Sequence, residues 1–360
     1  MRHGDVSTRQ RKRDHLDAFR GETPAGGTTT WLEHVQLVHN ALPQLRVDDI
    51  DLSREFAGHE FRAPLMITGM TGGTPEASEI NRALAHVSER LGIGFGLGSG
   101  RAMLEDRSLA SSYRMRAEAP TAFLAWNLGG VQLRDTPLEK VEQALAELEV
   151  DALCIHLNPA QEMMQPEGEG DRDFEGVLEA IGALVRAQPR PVIVKETGAG
   201  ISREVGLRLA EAGIYYVDVA GRGGTSWVGV ELERCGAAGD PQREVFRDWG
   251  IPTAASLCDL GGTGLRLIAS GGIRTGLDVA RALALGADLA GLAAPVLRAY
   301  FKGGENLCEK LLRNVLHGLR TTMLLTGNRK LEDLESTRRV IVGPLLTWLM
   351  ATGANGKVPA

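Results

Sequence analysis

The chain has 360 residues, a formal net charge of −6, a pI near 5.8, 43% hydrophobic residues and 45 glycines. That length holds one large α/β barrel with extensions or two smaller domains, and the acidic balance argues against a general nucleic-acid or membrane-surface binder. Cys154, Cys235, Cys258 and Cys308 are scattered with no CxxC pair, so neither a zinc site nor a disulfide framework is indicated, and a reducing, cytoplasmic setting is expected.

Residues 1–30 are polar, with an Arg-rich cluster at 8–16 and a Gly-Gly-Thr-Thr-Thr tract. The cluster reads as a solvated arm. It also reads as a lid, because Arg11, Lys12 and His15 fall at helical i, i+1, i+4 spacing and could clamp a diphosphate. No apolar stretch follows the first arginines, so no secretory signal is expected. No long uncharged apolar run occurs either, so no membrane span is expected. Residues 31–61 mix short apolar runs and are expected to cover the bottom or side of a barrel.

From residue 62 strand and helix patterns alternate to about 326. The strands are expected at Ala63–Thr68, Ile93–Leu97, Ala122–Asn127, Ala152–Asn158, Val192–Lys195, Tyr215–Val219 and Leu265–Ser270. An eighth ends in Ala293-Ala294. Helices are expected near 75–91, 105–117, 137–148, 174–187, 202–212, 252–260 and 305–326, with one more after Thr275 that carries Leu277, Val279, Ala280, Leu283 and Ala284 at helical spacing. A long Gly-rich segment runs from the sixth strand to about 250. Eight such repeats predict a closed (β/α)₈ barrel, an α/β TIM barrel. The expected layout is a single domain: an N-terminal arm and cover over 1–61, the barrel over 62–326, and a tail over 327–360 with one more apolar helix around Val340–Met350.

In such a barrel, polar residues at strand C-termini carry the chemistry. The segment 262–297 organises the chain. Gly271-Gly272 turns tightly after the seventh strand, Thr275 can cap the following helix, and Ala293-Ala294 lines the next loop with small groups. Two neighbouring loops stripped of side chains, behind a helix N-terminus, suit a phosphate. The fourth strand ends in His156-Leu157-Asn158-Pro159-Ala160-Gln161-Glu162. Alternation puts His156 and Asn158 on one face. Glu162 is a carboxylate suited to Mg²⁺, which takes few protein ligands beside phosphate and water. Lys195 closes the fifth strand, as a structural ion-pair partner or as a fixed cation beside a ring that becomes anionic. After the sixth strand, Gly223-Gly224-Thr225-Ser226 offers N–H groups and hydroxyls. Glu231 beyond it is a candidate acid/base and equally a surface carboxylate. Met70-Thr71-Gly72-Gly73, Ser99, Arg101 and Asn127 complete a polar ring. The residues alone fit a phosphate-bearing planar cofactor, a second phosphorylated ligand and a divalent metal.

These motifs, with Pro166-Glu167-Gly168 and Gly271-Gly272-Ile273-Arg274, resemble those of the type 2 isopentenyl-diphosphate delta-isomerases, FMN-dependent (β/α)₈ barrels. The resemblance runs from residue 8 to about 340. The Gly-Gly-Ile-Arg element is common to many phosphate-binding barrels; HxNxxQE at 156–162 with Arg11-Lys12 is far more specific. It implies conversion of isopentenyl diphosphate to dimethylallyl diphosphate with reduced FMN, Mg²⁺, NAD(P)H as reductant and no net redox. It implies FMN contacts from Thr68, Met70, Thr71, Gly72, Ser99, Asn127, Lys195, Thr225, Gly272, Ile273, Arg274, Ala293 and Ala294. Substrate contacts fall to Arg11, Lys12, His15, Ser99, Arg101, Asn158 and Gln161, and the metal to Glu162. Catalytic roles fall to Gln161, Lys195, His156 and Glu231. A homotetramer or homo-octamer is expected from the same resemblance, with no nucleic-acid or membrane partner. The chain departs from the family at Gly100, where a glutamine is usual, and at 167–171, where an extra step leaves the role of Asp171 open. The competing readings are an FMN-dependent 2-hydroxy-acid oxidoreductase and a flavin-binding barrel without activity. The first needs a histidine base after the sixth strand, and none stands there.

Overall fold

The computed structural model describes residues 14–21 and 27–354. Twelve strands are formed among them. β1 (Val35–Leu37), the hairpin β2 (Arg54–Phe56) and β3 (His59–Phe61), and β12 (Arg339–Ile341) lie outside the barrel. The barrel strands are β4 (Leu65–Ile67), β5 (Gly94–Ser99), β6 (Leu124–Gly129), β7 (Ala152–His156), β8 (Val192–Lys195), β9 (Tyr216–Asp218), β10 (Arg266–Ala269) and β11 (Leu289–Leu292). Each pairs in parallel with its chain neighbours, and β11 closes on β4. The (β/α)₈ barrel expected from the alternation is therefore the fold.

Local rules account for the elements. Helix Pro75–Leu91 starts with Thr74 accepting from the Ala77 N–H and with proline in its first turn, where no N–H is missed. Ile80, Leu84, Val87 and Leu91 bury one face, and Gly92 ends the helix at φ 62°. Thr275 and Asp278 form a reciprocal capping box on helix Gly276–Ala284. In that helix Val279, Ala280, Leu283 and Ala284 are buried, while Leu277 faces outward. The two-residue turn Ala57-Gly58 has both φ positive, at 54° and 77°, which matches the twist of a tight hairpin. That hairpin plugs the barrel floor. Phe56 and Phe61 pack with Met66, Phe123, Cys154, Ile193, Ile268 and Leu289 from the strands. Arg54 and Arg266 converge on Asp288 at 3.1 and 2.6 Å beside the plug.

Several expected boundaries move. The helix expected over 105–117 is instead a short helix Arg101–Glu105 and a 3-10 turn Arg107–Ser112, because the Asp106 side chain accepts from Ser108 N–H and restarts the chain there. The Gly-rich segment holds two helices, Trp227–Arg234 and Pro241–Glu244, capped by Ser226 and Asp240. The eighth strand stops at Leu292, so Ala293 is a helix N-cap and Ala294 is helical. The helix expected from 305 begins at Ala294 and breaks at Gly303-Gly304, where Gly304 has φ 62° and ψ −155°. Helix 174–187 begins only at Val177. Val340 lies in β12, antiparallel to β1, and the tail helix starts at Gly343. No helix of the described residues is long and apolar enough to cross a membrane.

Candidate active site

The strand C-termini open into one cavity of about 1770 Å³, its open mouth included. Every expected site residue within 14–354 lines it except Glu231. Arg11 and Lys12 lie outside the described residues.

One wall is bare backbone. Gly271 and Gly272 stand at φ 91° and 88°, which only glycine adopts freely. A Cβ on Gly272 would come within 2.6 Å of Gly223 O, and one on Gly224 within 2.5 Å of Gly272 N. The loops after β9 and β10 thus cross with no room for side chains. The N–H groups of Gly272 and Ile273 find no acceptor among the described residues. The helix starting at Ala294 brings its N-terminus to the same wall, and Arg274 and Arg298 add charge. Free donors, a helix N-terminus and two guanidinium groups form a cradle for a phosphate. The residues present therefore fit the phosphate end of FMN. Thr68-Gly69-Met70-Thr71-Gly72 supplies an adjoining floor, beside which Gly291 packs so closely that a Cβ there would meet Thr68 at 2.6 Å and Ser270 at 2.7 Å.

Lys195 lies opposite. No carboxylate of the described residues comes within ion-pair distance of it, and its Nζ donates to Glu196 O at 2.5 Å. The ion-pair reading therefore fails, and the cation faces the cavity. Asp218 is its Cα partner across β8–β9 and accepts from Ser270 Oγ at 2.7 Å. Burial pushes the Asp218 carboxyl up while the nearby Lys195 charge pulls it down.

The third wall is the loop after β7. The strand ends at His156; Asn158 is the N-cap of a short helix, Pro159–Met164. The shared face expected for His156 and Asn158 as strand residues is therefore replaced. The chain turns, and Gln161 and Glu162 sit on a helix rather than in a loop. Glu162 is buried, and its oxygens accept from Asn158 Nδ2 at 2.6 Å and Asp171 N at 2.8 Å. Asp171 also accepts from Gln132 Nε2 at 2.7 Å, so the lengthened 167–171 segment fastens the carboxylate.

Glu231 is neither a surface carboxylate nor a wall of the cavity. It is 0% exposed and sits behind Gln161. Its oxygens accept from Gln161 Nε2 at 2.8 Å, His15 Nε2 at 3.0 Å, Gln165 Nε2 at 3.2 Å and Arg234 Nε at 2.7 Å. Burial acts to raise its pKa, but the His15, Gln161 and Arg234 donors outweigh it and hold the carboxyl down to about 2. An ionised Glu231 fixes the Gln161 amide with its nitrogen inward, away from Asn158, whose Nδ2 is 3.4 Å from Gln161 Oε1. It also pins the N-terminal segment. His15 stacks edge-on against Trp227 at 5.1 Å, with Phe19 at 6.0 Å from the same indole.

Sequence reasoning missed Gln132, Gln165, Thr197, Ser270 and Arg298, all of which line the cavity. Gln165 and Arg298 each follow a named site residue by four positions on a helical run, which was the available signal.

The isopentenyl-diphosphate delta-isomerase of Halobacterium salinarum is 46% identical over 345 residues, covering 94% of this chain and 95% of that protein. This chain belongs to the type 2 isopentenyl-diphosphate delta-isomerases. The relatives of that name from Methanosarcina acetivorans and Aeropyrum pernix are each 43% identical over 358 residues, with 98% of this chain and 97% and 94% of those proteins covered. A family model described as FMN-dependent dehydrogenase matches residues 178–341 of this isomerase-family chain. Mandelate oxidase with (S)-2-phenylpropionate superposes with a TM-score of 0.65 at 19% identity, over 94% of this chain and 99% of that one. Mandelate oxidase with 3,3-difluoro-2-hydroxy-3-phenylpropionic acid gives 0.64 at 18%, over 94% and 100%. At that identity the likeness concerns the barrel alone.

Proposed function

We propose that this chain interconverts isopentenyl diphosphate and dimethylallyl diphosphate, with FMN, Mg²⁺ and NAD(P)H as its helpers. The observation that carries the reading is the Gln161 amide, set at the cavity wall by a fully buried, ionised Glu231 and flanked by Glu162. FMN, held at its phosphate by Gly272, Ile273, Arg274, Ala293, Ala294 and Thr225, and along its ring by Thr68, Met70, Thr71, Gly72, Ser99 and Asn127, supplies when reduced an acid/base nitrogen and an electron-rich ring.

The isomerisation adds a proton at one end of an alkene and removes one from the other, through a species with cationic character. Lys195, a cation at the cavity wall, would hold negative charge on a reduced flavin ring, which would supply electrostatic stabilisation to a developing cation. Gln161, locked by Glu231, positions the alkene and passes a proton at its amide. Ser99, Arg101 and His15 bind the diphosphate, with Arg11 and Lys12 as further cations. His156 and Asn158 orient it, and Glu162 takes the Mg²⁺ that neutralises it. The helical turn at 14–18 closes over the cavity and keeps water from the reacting carbons. Oxidation of a 2-hydroxy acid would need a base after β9. The segment 219–252 contains no histidine. Assembly as a homotetramer or homo-octamer and a cytoplasmic location belong to the same proposal.

The test is proton NMR of isopentenyl diphosphate with the protein, FMN, Mg²⁺ and one equivalent of dithionite without oxygen. Many turnovers per reductant are expected, and none with the oxidised protein. Consumption of one reductant per product would make the reaction a net reduction and overturn the isomerase reading, whereas reduction of the flavin by a 2-hydroxy acid would support the oxidoreductase.

A further inference from the structure

Gly100 and Trp126 meet beneath the edge of the cavity. Gly100 is the N-cap of helix Arg101–Glu105, at φ −81° and ψ 3°, a backbone conformation open to other residues. Space, not conformation, demands the glycine: a Cβ there would land on the Trp126 ring, inside any allowed contact. Trp126 is fully buried. It precedes the cavity-lining Asn127 on β6, so strand alternation sends the indole to the opposite face, into the helix layer. Its Nε1 has no hydrogen-bond partner among the described residues. A buried donor left unpaired is costly, so the ring is kept there for its volume.

The neighbours of Gly100 face the cavity and Gly100 does not: Ser99 and Arg101 line it. Hydrogen bonds fix the ends of this turn. Gly100 N donates to Asn127 O at 2.7 Å, Leu104 N to Gly100 O at 3.0 Å, and Tyr113 Oη to Ser99 O at 2.8 Å. The indole fills the space under its middle.

We infer that Trp126 is a positioning residue for the diphosphate grip: its ring sets where Ser99 and Arg101 stand, and Gly100 is the residue that admits it. The inference rests on the proposed substrate. It makes positions 100 and 126 one unit, in which bulk at one is exchanged for bulk at the other.

The experiment is a cycle of Gly100→Ala, Trp126→Leu and the double variant, with Trp126→Phe alongside. Each is measured for KM and kcat with isopentenyl diphosphate and for affinity toward inorganic diphosphate, which needs no turnover. Either single change displaces the turn and should raise KM ~10-fold while kcat stays within ~3-fold, the signature of lost binding rather than lost chemistry. The double variant should return KM to within ~3-fold of the parent, because coupled positions are non-additive. Trp126→Phe keeps one aromatic ring but loses the indole edge of Nε1, Cε2 and Cζ2 that lies nearest Gly100, so its KM should fall between those of the parent and Trp126→Leu. Additive losses, a fall in kcat without change in KM, or a Phe variant as poor as the Leu variant would overturn the inference. Should Gly100→Ala fail to fold, folding of the double variant is itself the rescue required, and its failure refutes the pairing. A parent that isomerises while Gly100→Ala is unchanged sinks this inference alone; a parent that never isomerises sinks the site reading with it.

Discussion

Replacing Glu231 by glutamine keeps its shape and removes its charge. The carboxylate accepts from four side chains, with Arg234 at 2.7 Å and Gln161 at 2.8 Å, at 0% exposure. Glutamine offers one acceptor oxygen and turns an N–H₂ toward a donor, so Arg234 keeps only Glu169, at 2.7 Å. Breaking a buried ion pair by removing one partner costs ~3–5 kcal/mol. At ~2.1 cal/mol/K of unfolding entropy per residue, a chain of 360 residues loses ~1.3 °C of Tm per kcal/mol, so a fall of ~4–7 °C is expected. Linkage gives an independent check. The folded pKa is lowered from 4.5 to about 2. The carboxylate therefore contributes its full ~3 kcal/mol above the unfolded pKa and loses it as pH falls through the folded one. The Tm gap between parent and Glu231→Gln should be level from pH 8 to 5 and close between 4.5 and about 2. Freed from its anchor, Gln161 should also lose ~10²-fold in kcat. Thermal melts across pH and the NMR assay measure both. A variant with parental Tm and rate would show that Glu231 anchors nothing.

Gly272→Asp brings bulk and negative charge onto the crossing backbone, 2.6 Å from Gly223 O at its Cβ, and should purify colourless; a yellow, active variant would place the phosphate elsewhere. Glu162→Gln should raise the Mg²⁺ concentration needed for half-maximal rate at least ~10-fold, with flavin retention unchanged, as read by titration; an unaltered Mg²⁺ curve removes Glu162 from the metal. Phe56→Ala empties the barrel floor and should cost ~3–5 kcal/mol in a denaturant melt. The cavity lies at the other end of the strands, so kcat at 25 °C should stay within ~2-fold, and a large loss of rate would contradict that separation.

The barrel was legible because its strands are short apolar runs, two of which, Ile93–Leu97 and Leu265–Ser270, lie between glycines, and because its helices keep a clear apolar face, as in Pro75–Leu91. Elements failed where a single polar side chain rewrote the local path. Asp106 restarts the chain after Glu105, and Asn158 opens a helix where alternation extends a strand. The glycine lining of the phosphate wall could be read directly, since backbone approach demands it. The placement of Glu231 could not: it follows Gln161 by seventy positions, and only the helix capped by Ser226 swings it behind the amide. Trp126 gave no sign, because its effect depends on where Gly100 arrives.

β1 and β12 join the two ends of the chain: Val35 pairs with Ile341. The extension that β1 belongs to also carries Thr30, whose carbonyl accepts from Ala254 N at 3.0 Å and whose backbone lies under Gly223. During synthesis at ~5–20 residues per second, β1 waits ~15–60 s for a partner about 300 residues downstream. The nascent barrel can close its strands in that interval, and the strap beneath the phosphate loops is already tied by Ala254 and by Arg281, which donates to Val35 O at 3.0 Å; the β1–β12 pairing is its last tie. A chain stopped before residue 339 would therefore keep the Ala254 and Arg281 ties and lose the strand pairing, so the strap would stay anchored at its loop end while β1 lacked a partner strand.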